Sequence, residues 1–190
     1  GNKLQFLTDI NENVTINKSL TIDGANFNYT GTMSANDNIT VTVQYVNFVN
    51  AGFDKSTKST NGNYNFNYCT FDGQGTYAYS ITAKGANKIN INNCTVKDYV
   101  YGFLYVKTAV NTGVNVKDVL VENCPNYAVY FGSGAGASTV LENMTVKNSN
   151  AGVIYHNQTS ARTFTMKNCI MEGVAVAVDG TGGTNTITCK

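Results

Sequence analysis

The chain is 190 residues long, carries 13 Lys and Arg against 12 Asp and Glu, and is only 13% charged. A net charge of +1 gives no electrostatic basis for binding nucleic acid or an anionic membrane. The length suits a single domain over 1–190, and no apolar run is long enough to predict membrane insertion.

The first third, residues 1–63, holds irregular coils. The stretch VTINKSLTIDGANFNYTG reads as an opening coil, with Ala25 and Phe27 in its main apolar columns. VQYVNFVNAG supplies the next, through Val46 and Phe48, and FDKSTKSTNGN (53–63) reads as a polar loop. Atypical coils are expected at the end of a repeat array. No capping helix is legible at either end and no signal peptide is visible, a pattern expected of a piece of a longer or processed protein.

From residue 64 onward the chain repeats with a period of 25. Cys69, Cys94, Val119, Met144 and Cys169 stand at equal intervals. Two residues after them come Phe71, Val96, Val121, Val146 and Met171; three before come Phe66, Ile91, Val116, Leu141 and Met166. Each half of this motif alternates apolar and polar, the period of a strand. Asn93, Asp118, Asn143 and Asn168 divide the halves, and these residue types tolerate the left-handed backbone of a sharp corner. A third strand is expected at 78–81, 103–106, 128–131 and 153–156, followed by the return loops TAKGANK, KTAVNTG, GSGAGAS and NQTSART. A further coil is expected to start at 186–189.

Three short strands per coil predict an all-β fold: a right-handed, single-stranded parallel β-helix of about seven coils, the hand following from parallel crossovers. A leucine-rich repeat has a similar core string. Leucine is scarce in these columns, however, and the return segments YAYSITA, GFLYVKT and YAVYFGS lack helical periodicity.

The five cysteines read first as small hydrophobes, since Cys69, Cys94 and Cys169 share a column with Val119 and Met144. Without a C-x-x-C pair, and with one histidine, the sequence predicts no metal site and no cofactor. His156 reads as a rung-end residue level with Ile81, Val106 and Phe131. N-x-S/T sequons, as at Asn28, Asn38, Asn143 and Asn157, follow from the abundance of Asn and Thr.

The coil length, the corners KNCIM, NNCTV and ENMTV, and the opening TINKSLTIDG resemble the pectin lyase-like superfamily of parallel β-helix proteins, over about residues 14 to 189. That resemblance implies a fold shared by polysaccharide lyases, polygalacturonase-type hydrolases, phage tailspikes and surface adhesins. It does not carry an activity. The catalytic strings it would bring, N-T-D, D-D, G-H-G and R-I-K, are absent, and the only arginine, Arg162, falls in a return loop. No catalytic residue is therefore assigned.

Asp72, Lys97, Glu122, Lys147 and Glu172 alternate in sign from coil to coil, as do Lys117, Glu142 and Lys167. Stacked rungs turn such alternation into ion-pair ladders. Asp98 and Asp179 fall outside them.

Tyr105, Tyr130 and Tyr155 recur at the same interval on the third strand, with Ser80 expected ahead of them and Tyr79, Leu104, Val129 and Ile154 expected as the inward neighbours. Facing outward, the tyrosines form a flat stripe suited to stacking on sugar rings; facing inward, an internal aromatic stack. The sequence leaves both open, because outward tyrosines would also expose Phe103 and Val153. The functional expectation is an extracellular or cell-surface module, adhesin-like or carbohydrate-binding and without catalysis, whose partner is a polysaccharide or cell-surface glycan. A lyase or hydrolase and a structural spacer of a fibre are the alternatives.

Overall fold

The computed structural model describes residues 1–55, 61–86, 88–106, 113–132, 138–156, 162–180 and 185–189, with residues 162 and 185–189 described by their backbone alone. All regular structure in it is strand, paired in parallel throughout. The chain winds as a parallel β-solenoid with an eight-stranded sheet on one side and a fifteen-stranded, bent sheet around the rest. The return loops expected from the sequence lie largely outside the described residues.

The repeat fixes the register of the bent sheet. Strand Lys88–Lys97 pairs Gly113–Glu122 at a constant offset, with Ile89 opposite Val114, Cys94 opposite Val119 and Val96 opposite Val121. These columns point inward and are closed to solvent. In the first coils the column of Phe71 is aromatic: Tyr29 meets Phe48 edge-on, and Phe48 stacks on Phe71 with ring centroids 4.6 Å apart and planes within 4°. At the far end Met171 is 44% exposed, because among the described residues its strand pairs on one side only.

The corner after Ile22 corrects the opening coil. Tyr29, not Phe27, pairs Phe48, which puts Phe27 rather than Ala25 beside Val46. The cause is a longer corner, in which Ala25 and Asn26 both adopt positive φ. The segment expected as a loop from residue 53 also begins as strand: Gly52–Lys55 pairs Tyr79–Ala83 and Phe53 is core. The strand Asn185–Cys189 forms as expected and pairs Arg162–Lys167, so Arg162 starts a strand rather than sitting in a loop.

Two ladders hold the corners. Asn93, Asp118, Asn143 and Asn168 have φ between 49° and 54°, and Asn143 and Asn168 each donate to the carboxyl or amide oxygen one coil back, at 2.7 and 3.3 Å. The second corner, after the Phe71 column, repeats the device with Asp98, Asn123 and Asn148, linked at 3.0 Å per step, before Gly173 takes the position. A third amide ladder, Asn65–Asn90–Asn115, runs along the outer face at 2.7 and 3.0 Å. Each such bond is worth about 1 kcal/mol net. In two earlier coils the first corner holds Tyr45 and Tyr68, also at positive φ; the exposed rings stack at 5.1 Å and 9°, which offsets a backbone conformation unfavourable for bulky residues.

The alternating charges close as pairs. Asp72–Lys97 (2.9 Å), Glu122–Lys147 (3.7 Å) and Lys117–Glu142 (3.1 Å) bridge adjacent coils. Lys147→Glu would place three acids in the register column Glu122, 147, Glu172. These groups are partly exposed, so the expected loss is between about 0.2 and 1 kcal/mol, larger at low salt. Urea unfolding at two ionic strengths checks it; an unchanged midpoint at both would show that the pairs contribute nothing.

Candidate functional site: an aromatic stripe

Tyr105, Tyr130 and Tyr155 occupy one register column of the eight-stranded sheet. Each is half-buried, while the next residues on either side, Leu104 and Val106 for instance, are closed to solvent. The tyrosines therefore face outward. The sequence conflict over Phe103 and Val153 is resolved by a break in the ladder. Tyr79 pairs Gly102 and Ile81 pairs Leu104, but no pair joins Ser80 to Phe103. The same position is skipped between Phe103 and Ala128 and between Ala128 and Val153. A kink shared by the stacked strands, with equal residue counts on each, lets two successive side chains enter the core there. Ser80, Phe103, Ala128 and Val153 are all buried, and the Ser80 hydroxyl donates to the Phe103 carbonyl at 2.7 Å, satisfying an acceptor that the ladder leaves over.

The column continues through Thr82, not Ser80, and its inward neighbour is Ile81, not Tyr79. His156 is correspondingly level with Ala83 rather than Ile81, and is buried against the Phe164 ring at 5.7 Å. The offset arises because two extra residues in the turn after Asp72, where Gln74 and Gly75 adopt positive φ, are matched by two fewer in the return. The 25-residue interval of the anchors survives this exchange and conceals it.

Three further tyrosines extend the stripe. Ring centroids run from Tyr101 to Tyr79 (5.6 Å), Tyr79 to Tyr105 (5.0 Å), Tyr105 to Tyr130 (5.2 Å), Tyr130 to Tyr155 (4.8 Å) and Tyr155 to Tyr127 (4.9 Å). Tyr130 and Tyr155 lie nearly parallel at 28°, whereas Tyr105 meets Tyr130 edge-on at 87°. Tyr79 and Tyr127 share a second column with Gly102 and Gly152. At Gly152 a Cβ would lie 3.0 Å from the Tyr127 ring, so the glycine leaves room for it. The signal for these residues was the recurrence of Tyr three or four positions before Tyr105 and Tyr130, which lies off the 25-residue grid.

Burial raises Tyr79 to about 12 and also raises Tyr130. The Tyr127 hydroxyl donates to the Asp179 carboxylate at 2.6 Å, which lifts the phenol to about 12 and holds Asp179 below its ordinary value. Tyr79, Tyr127 and Tyr130 are thus held as neutral phenols. Its flat faces and rim hydroxyls can stack on and hydrogen-bond to a ring with one apolar and several polar edges.

Two carboxylates at the corners are engaged within the solenoid. Asp98, expected outside the ladders, accepts from Asn123 and lies 3.8 Å from Lys97. Asp118 accepts from Asn143. The thiols of Cys69, Cys94, Cys124 and Cys169 are free; burial pushes Cys69 and Cys124 up, and the column behaves as an apolar one. Among the described residues no group of three His, Cys, Asp or Glu could hold a metal ion, and no helix is long and apolar enough to cross a membrane. An apolar cavity of 560 Å³, lined by Leu4, Phe6, Ile16, Leu20, Ile22 and Met33, opens at the N-terminal end of the stack.

Comparison with protein-family models, curated proteins and solved structures finds no match to this chain. The family resemblance therefore rests on the coil length, the corner strings and the opening TINKSLTIDG alone.

Proposed function

We propose that this chain is a glycan-binding β-solenoid module, adhesin-like, extracellular or at a cell surface, related to the pectin lyase-like proteins in architecture and working without catalysis. The observation that carries the reading is the unbroken, half-exposed run of six tyrosines along one sheet. Stacked strands repeat at about 4.8 Å, so the rings form a rigid track on which an extended polysaccharide meets successive coils. The track is part of the scaffold, which limits the ordering cost of binding. Affinity then accumulates from several weak stackings. The near-zero net charge and the amide ladders on the neighbouring face are in keeping with a neutral, hydroxyl-rich ligand.

The triple variant Tyr105→Ala, Tyr130→Ala, Tyr155→Ala should fold and lose binding on a glycan array. Aromatic contacts of this kind are worth about 0.5–1.5 kcal/mol each, so a loss of 10-fold or more is expected from the three together. Tyr130→Ala, at the centre of the register column Tyr105, Tyr130, Tyr155, should cost more than Tyr155→Ala at its end. Equal binding by wild type and triple variant, or bond cleavage by the wild type, contradicts the proposal.

A further inference from the structure

The tyrosine column has a carboxylate at each end. Register pairs Asp54 with Thr82, Thr82 with Tyr105, and Tyr155 with Asp179. The outward column therefore reads Asp54, Thr82, Tyr105, Tyr130, Tyr155, Asp179, five rung intervals or about 24 Å long.

Neither carboxylate belongs to a charge ladder. Asp72, Glu122 and Glu142 each face a lysine across a coil; among the described residues Asp54 and Asp179 have no ion-pair partner. Lys55, beside Asp54 in sequence, is buried and bonds Asp37 at 2.9 Å. One oxygen of Asp54 is shielded from solvent and accepts no hydrogen bond among the described residues, which is costly unless a donor arrives from outside. Asp179 is exposed, and accepts from the Tyr127 hydroxyl and the Gly180 amide through different oxygens. Its partners fix the carboxylate beside Tyr155, and the neighbouring His156 acts on it electrostatically without closing an ion pair.

We infer that the stripe selects glycans carrying protonated amino groups, amino-sugar polymers, over their N-acetylated counterparts and over polyuronates. This rests on the reading of the stripe as a glycan-binding track. Sugar rings stack on the tyrosines between the two acids. An ammonium group at either end donates to Asp54 or Asp179 and lies beside the electron-rich face of a tyrosine. A uronate polymer brings like charges to the same two places and is rejected by them.

The test compares three hexasaccharides, of glucosamine, N-acetylglucosamine and galacturonate, by calorimetric titration in mildly acidic buffer, where the sugar amines are protonated. Wild type should bind the amino hexamer about fivefold tighter than the acetylated one at low salt, and the uronate most weakly. In about 0.5 M salt the preference should shrink toward one, since exposed charges are screened. The double variant Asp54→Asn, Asp179→Asn, which keeps an acceptor for Tyr127, should bring the ratio of the two affinities to about one at low salt as well. Equal affinity for the amino and acetylated hexamers in wild type, tighter binding of the uronate, or an unchanged ratio in the double variant overturns the inference while leaving the stacking track intact. Failure to bind any of the three sinks the inference and counts against the track itself.

Discussion

Phe71→Ala should lower the unfolding free energy by about 3–5 kcal/mol, the largest effect expected of any single truncation in this fold. The Phe71 ring is closed to solvent, lies face to face with Phe48 at 4.6 Å, and meets Phe66 edge-on at 6.0 Å. Deleting it removes the transfer energy of the ring and opens a cavity between two coils that cannot close up, because both coils are tied by backbone ladders on either side. In a solenoid each coil is stabilised through its neighbours, so the damage falls on two interfaces at once. Val96→Ala, one rung along the same column, should cost clearly less, because fewer atoms are removed. Urea denaturation of both variants is the measurement. A loss under about 1 kcal/mol for Phe71→Ala would mean that the aromatic column is not packed as described.

Gly102→Ala should destabilise by about 3 kcal/mol although it adds one methyl group. A Cβ at this position collides with the carbonyl oxygen of Tyr127 on the next coil. Backbone held in a parallel ladder cannot yield as a side chain could, so the strands Gly102–Val106 and Tyr127–Phe131 must separate or the kink they share must shift. Either response disturbs the outward column, so glycan binding should fall together with stability. Gly75→Ala is the control. That residue has open space around it and φ of +68°, so it loses only about 1 kcal/mol through backbone strain and leaves the stripe in place. Equal effects of the two substitutions would show that the close approach at Gly102 is not a constraint.

The architecture was legible because stacking makes the sequence periodic: Cys69, Cys94, Val119, Met144 and Cys169 land in one column, as do Phe71, Val96, Val121 and Val146. The first corner was legible for the same reason, through Asn93, Asp118, Asn143 and Asn168. What periodicity does not encode is compensation inside a coil. A longer turn at Gln74–Gly75 with a shorter return keeps the anchors in step while sliding the third strand by two residues, so that Thr82 rather than Ser80 precedes Tyr105. The kink at Phe103 escapes detection likewise, because it breaks the strict alternation on which the strand pattern rests. The second corner ladder was hidden by its mixed composition, Asp98, Asn123, Asn148 and then Gly173, residues that share a backbone conformation more than a chemistry. Of the stripe, the three tyrosines on the repeat grid were visible. Tyr79, Tyr101 and Tyr127 join it only through the offset, the corner and the glycines opposite them, all of which are features of three dimensions.

A glycan lying along this one column would be reported directly by tyrosine-selective NMR. The protein, labelled at its tyrosine rings, is titrated with the glycan that the array selects. Shifts are expected in the rings of Tyr105, Tyr130 and Tyr155, smaller ones in Tyr79, Tyr101 and Tyr127, and none in the buried rings of Tyr29, Tyr64 and Tyr99. Shifts confined to the exposed corner pair Tyr45 and Tyr68, with the column of Tyr130 unmoved, would contradict it.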